Sequence, residues 1–96
     1  MKTLNLIDIV EDTTSNTEGF KLFQLLKQYV EEGNIVILKV ENNHILSSSF
    51  LNSSIGEFLE NYGTEKFKST VKVKGNRTQF KRIAKYLKLY ESTHLA

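Results

Sequence analysis

Cysteine and proline are absent from this chain of 96 residues, histidine occurs only twice, and the five glycines stand far apart. Without cysteine there are no disulfides, no thiolate metal sites and no thiol catalysis, which fits a cytoplasmic setting. Without proline there is no rigid linker and no marked boundary, so residues 1–96 are expected to form one domain. Gly19, Gly33, Gly56, Gly63 and Gly75 build neither common phosphate-binding loop, and ATP hydrolysis is not expected. A serine-histidine-acid triad would have to use His44, only three to five residues ahead of Ser47, Ser48 and Ser49, because His94 lies in the C-terminal tail. Glu41 and His44 are the one close pair of hard metal ligands, whereas a structural site normally takes four. The chain therefore reads as a non-enzyme, with no catalytic residue, no metal and no cofactor. No apolar run approaches the ~20 residues that span a bilayer. Asp8, Glu11 and Asp12 interrupt the N-terminus before a signal-peptide core could form, so a soluble cytoplasmic protein is expected.

Forty per cent of the residues are hydrophobic, including 6 Phe and 4 Tyr, enough for a folded core. The formal net charge of +2 conceals an asymmetry. Residues 1–65 hold four lysines against ten acids, and residues 66–96 hold nine Lys or Arg against Glu91 alone. Such a split can mark a nucleic-acid footprint or a docking face for an acidic partner; the ordinary alternative is a pair of solvated faces.

Elements alternate along the chain. Leu4 to Val10 reads as a first, central strand. Ser15, with Glu18 three residues on, has the form of a capping box for a helix to about Glu32, with Phe20, Leu22, Phe23, Leu25, Leu26, Tyr29 and Val30 on its apolar face and Gly33 as its stop. Ile35 to Val40 reads as a strand buried on both faces, paired in parallel with the first. Phe50, Ser54 and Phe58, with Leu51, Ile55 and Leu59 beside them, repeat every four residues in a second helix that runs through Tyr62 to Gly63. Thr70 to Lys74 alternates like a half-exposed edge strand. Thr78 is placed to cap a last helix that ends near Ser92, striped by Phe80, Ile83, Ala84, Leu87 and Tyr90. This order predicts a small α/β sandwich: a mostly parallel sheet covered by about three helices, with right-handed crossovers.

The junction at Ser47, Ser48 and Ser49 is the point of most chemical interest. One of these hydroxyls is expected to cap the first turn, where backbone N–H groups have no partner. Three exceed what capping needs, and Asn52, Ser53 and Ser54 extend the polar edge. A phosphate here would bring about −1.5 to −2 charge onto the positive end of a helix dipole. The same geometry turns Phe50 inward and leaves Ser48 exposed.

These residues resemble a family. Val36 to Phe50, Ile55-Gly56-Glu57-Phe58-Leu59, Tyr62 to Phe67 and Val71 to Asn76 match the spacing of the STAS-like domain of unknown function, and Gly19 opens the first helix as that family's glycine does. That family looks like a relative of the STAS domains of sulfate transporters and anti-sigma factor antagonists, in which a serine at a helix start is phosphorylated by a histidine-kinase-like ATPase. By position Ser48 matches that phosphoacceptor. Departures are Ser47 and Lys39 where the family often carries aspartate, Asn42 where it often has glycine, and Asn52-Ser53 where an acid is common.

The resemblance implies a regulatory protein-interaction module that docks on a partner, in this family a histidine-kinase-like ATPase, through Ser47, Ser48, Ser49 and Asn52, under control of serine phosphorylation. The alternative is nucleic-acid binding by a basic face of Arg77, Lys81, Arg82, Lys85 and Lys88, with Tyr86 or Tyr90 for stacking. No nucleic-acid motif accompanies that face, and nucleic acid is the less expected partner.

Overall fold

The computed structural model of the protein describes residues 1–40 and 45–94. Strand β1 is Lys2–Asn5, followed by a single helical turn, α1, at Leu6–Ile9. Helix α2 spans Asn16–Glu31 and strand β2 Val36–Val40. A helical column then begins with α3 (Ser48–Leu51), widens into a π-helical turn at Asn52–Gly56 and closes with α4 (Glu57–Tyr62). Helix α5 (Thr64–Thr70), strand β3 (Val71–Gly75) and helix α6 (Arg77–His94) complete the order.

The strands form one parallel sheet in the order β1-β2-β3, with Leu4 opposite Leu38 and Leu38 opposite Val73. Two right-handed crossovers that step the same way across a sheet leave their helices on the same face. Burial shows the result: Val36, Leu38, Val40 and Val71 join Leu22, Leu26 and Val30 of α2, Phe50, Leu51, Ile55, Phe58 and Leu59 of the column, Phe67 of α5 and Ile83 of α6 in one apolar cluster. Residues of the opposite phase, Thr3, Lys39, Lys72 and Lys74, are exposed, and Ile37 is half-buried. The expected α/β class and parallel pairing therefore hold, but β2 is not covered on both faces.

The first strand is shorter than Leu4 to Val10 and lies at an edge rather than the centre. Leu6 and Val10 do reach the core, at 1% and 7% exposure, but from opposite ends of the α1 turn, which the Val10 N–H closes by donating to the Leu6 carbonyl. A closely spaced run of Leu, Ile and Val satisfied a helical turn as well as a strand.

Helix α2 starts as expected, with Ser15 Oγ accepting from Glu18 N at 3.3 Å, and stops at Gly33, whose φ is 83°. The capping box is only half made, because the Glu18 carboxylate turns to the Glu11 N–H instead. The cap of α6 is Asn76 rather than Thr78: Asn76 Oδ1 accepts from Thr78 N at 2.8 Å. The third strand is at an edge, as its alternation implied. The expected three helices are present as α2, the 48–62 column and α6, joined by the unexpected α1 and α5.

Candidate functional site

The serine turn rests on the loop between α1 and α2, and two carboxylates hold that loop in shape. Asp12 Oδ1 accepts from the Thr14 and Ser15 N–H groups at 3.0 and 2.9 Å. Glu18 Oε1 accepts from Glu11 N at 2.6 Å and from Lys21 Nζ at 3.1 Å. These donors stabilise the ionised forms. The Thr14 and then the Ser15 backbone hold Asp12 below the usual carboxylate range, and the Glu11 backbone, then Lys21, do the same for Glu18. Across this platform, Ser47 N donates to Thr13 O, Ser47 Oγ donates to Thr14 O at 2.9 Å, and Thr13 Oγ1 donates to Ile45 O at 2.6 Å.

Ser47 is the N-cap of α3: its Oγ also accepts from Phe50 N at 3.1 Å. Its hydroxyl is thus occupied twice. Phe50 is buried in the core, and Ser48 and Ser49 are exposed. Among the described residues no hydrogen bond engages the Ser48 or Ser49 hydroxyl.

Helix α6 supplies the opposite wall. Arg82 Nε donates to Leu46 O at 3.0 Å, which pins the guanidinium beside the serine turn, and Tyr86 OH donates to Asn52 Oδ1 at 2.7 Å. Ser48, Asn52, Arg82, Lys85, Tyr86 and Tyr90 together line an open cleft of about 360 Å³. Arg82 also borders a second hollow with Ile45, Leu46 and Ser47. Burial, first of all, raises the Tyr86 and Tyr90 phenols above their ordinary values, so both are neutral near pH 7. An exposed hydroxyl and two cationic side chains, from segments more than thirty residues apart, meet in one concave surface.

The residues singled out in the sequence are thereby divided. Ser48 and Asn52 share the cleft with Arg82 and Lys85; Ser47 is spent on the cap, and Ser49 is exposed. Arg77, Lys81 and Lys88 are also exposed and do not line it. His44 and Glu41, the histidine of the rejected triad and the rejected metal pair, lie outside the described residues. Among the described residues no group of three or more His, Cys, Asp or Glu could hold a metal ion, and no helix is long and apolar enough to cross a membrane.

The sequence reading missed Tyr86 as a tether and the π-helical turn behind Ser48. A signal for the latter was present. A strict four-residue repeat drifts around an α-helix of ~3.6 residues per turn, and a wider i→i+5 turn absorbs the drift. As a result Phe50, Leu51, Ser54, Ile55, Phe58 and Leu59 all stay at 2% exposure or less. Ser54 Oγ donates to Phe50 O at 2.7 Å and so satisfies its own hydroxyl in the core.

The family model described as a STAS-like domain of unknown function matches residues 18–79, and the chain belongs to that family. No curated protein and no solved structure matches it. The matched span holds α2, the serine turn and β3 but ends at Gln79, so Arg82, Lys85 and Tyr86 come from a helix that lies mostly beyond it.

Proposed function

We propose that the protein is a regulatory interaction module that docks on a protein partner through the serine turn and the cleft beside it, with Ser48 as the residue whose phosphorylation alters docking. One observation carries the reading: Ser48 is exposed and unpartnered at a helix start, in a cleft whose far wall presents Arg82 and Lys85. A phosphate on Ser48 would meet free backbone donors of the first turn and two cations across the cleft, forming charge-assisted hydrogen bonds that fill the docking surface. Unmodified, the cleft offers a partner carboxylate or carbonyl those same donors. In keeping with the family resemblance, the partner proposed is a protein of the histidine-kinase-like ATPase type in the cytoplasm.

The nucleic-acid alternative gains nothing from the structure: Arg77, Lys81 and Lys88 lie outside the cleft, and Tyr86, one of its intended stacking rings, is tied to Asn52.

The test is a pull-down from a lysate of the source cells, using wild type, Ser48→Glu and Arg82→Ala, with mass spectrometry of bound proteins and of Ser47 to Ser49. A partner held by wild type and lost from both variants supports the reading. A set of partners indifferent to both variants overturns it.

A further inference from the structure

Parallel sheets are normally buried on both faces, because their crossover connections place helices there. Here α2, the 48–62 column and α6 crowd one face; on the other, Thr3, Lys39, Lys72 and Lys74 are exposed and Ile37 is half-buried, the Lys72 ammonium donating to the Lys68 carbonyl of α5 at 2.7 Å. Ile35, just ahead of β2 and in phase with Ile37, is 40% exposed. Lys39 and Lys74 stand directly opposite each other in the register, and Lys72 stands opposite Ile37. Among the described residues no strand carries an acid, and no carboxylate forms an ion pair with these lysines. Like charges side by side on a sheet repel unless an anion lies between them.

We propose that this open sheet face binds an amphipathic acidic helix of a partner protein, its apolar side chains over Ile35 and Ile37 and its carboxylates over Lys39, Lys72 and Lys74. The width fits one helix: outer strands of a three-stranded sheet lie about 10 Å apart, close to the ~10–12 Å diameter of a helix with its side chains. The charge pattern selects the occupant. A second copy laid face to face would bring lysine onto lysine. Single-stranded nucleic acid stacks its bases on aromatic rings, and this face has none. The site lies on the side of the sheet away from the serine cleft and does not depend on it.

The probe is a synthetic helical peptide of about 18 residues with one leucine face and one glutamate face, titrated into the full chain and followed by backbone amide NMR. A scrambled peptide of the same composition, oligouridylate and phosphatidylserine vesicles serve as the comparisons. The proposal expects saturable shifts centred on Thr3, Ile37, Lys39, Lys72 and Lys74, weakened by added salt. Lys39→Glu with Lys74→Glu should weaken binding about tenfold or more. Lys39→Gln with Lys74→Gln should give a smaller loss in a variant whose thermal melt is unchanged, and Ser48→Glu should have no effect. The scrambled peptide, oligouridylate or vesicles binding as tightly as the helical peptide would overturn it. So would shifts confined to α6, or self-association of the chain through this face.

Discussion

Helices α2 and α6 are of similar length, 16 and 18 residues, and both are amphipathic, yet they are held in different ways. Helix α2 buries Leu22, Phe23, Leu26 and Val30 and approaches the 48–62 column so closely that a methyl group on Gly19 would stand 2.6 Å from the Phe50 carbonyl. Helix α6 fully buries Ile83 alone among its described apolar residues, leaves Phe80 and Leu89 about half exposed, and relies on polar tethers: Arg82 to Leu46, Tyr86 to Asn52, and Glu91 to Lys68 at 2.9 Å. Apolar burial on the scale of α2 is structural and hard to reverse, whereas a hydrogen bond contributes ~0.5–1.5 kcal/mol and an exposed ion pair ~1 kcal/mol or less. The helix that faces Ser48 is thus the one whose docking a single charge could shift.

The comparison can be broken most severely at the sheet beneath α2. Leu38→Asp places a carboxylate at a site 1% exposed with no partner, a change of ~3–5 kcal/mol or more, and should abolish the cooperative melting transition. A variant that still melted cooperatively would contradict the core assignment.

Gly19→Ala sharpens it. Alanine is the better helix former by ~1 kcal/mol, so a helix with open space beside it would gain stability. Because the Phe50 carbonyl and the Ser53 side chain occupy that space, the expected outcome in urea unfolding is instead a loss of ~1–3 kcal/mol.

Tyr86→Phe, at the other helix, should cost only ~0.5–1.5 kcal/mol, and hydrogen exchange should place the loss in α6 while α2 amides keep their protection. Equal loosening of both helices would remove the distinction drawn between them.

Acid provides the mildest perturbation. Asp12 and Glu18 have folded values below their ordinary ones, so their contribution is complete above the usual carboxylate range and fades as pH falls through the depressed folded values. Amides of the loop at residues 11–15 and of Ser47 should therefore lose protection on acidification, relative to the intrinsic exchange rate at each pH, before the α2 core does, and Glu18→Gln should flatten that dependence.

Much of this arrangement was legible in the sequence where one pattern had one solution. Gly33 read as a helix stop, the largely β-branched run of Ile35 to Val40 as a strand of the sheet, and a serine before Phe50 as the cap of the turn that buries it. The misreadings have physical causes as well. Leu6 and Val10 fill the core from a single turn as readily as from a strand. Helix α5 has one buried apolar residue, Phe67, and so no periodicity to read. The bare sheet face could not be anticipated from Ile35 to Leu38, because an apolar run states what a strand can bury and not what the fold places over it. The cleft depended on α6 crossing to Leu46 and Asn52, a long-range choice encoded in Arg82 and Tyr86 that local spacing does not reveal.

The central claim, that Ser48 and the cationic groups of α6 form one site, is tested most directly by preparing the chain with phosphoserine at position 48 and titrating it by phosphorus NMR. An isolated phosphoserine loses its second proton near pH ~6. Capture by Arg82 and Lys85 predicts a value clearly below that, restored by Arg82→Ala together with Lys85→Ala, and slower amide exchange in α6 of the phosphorylated chain. A phosphate that titrates like the free amino acid, with α6 exchange unchanged, would contradict the account.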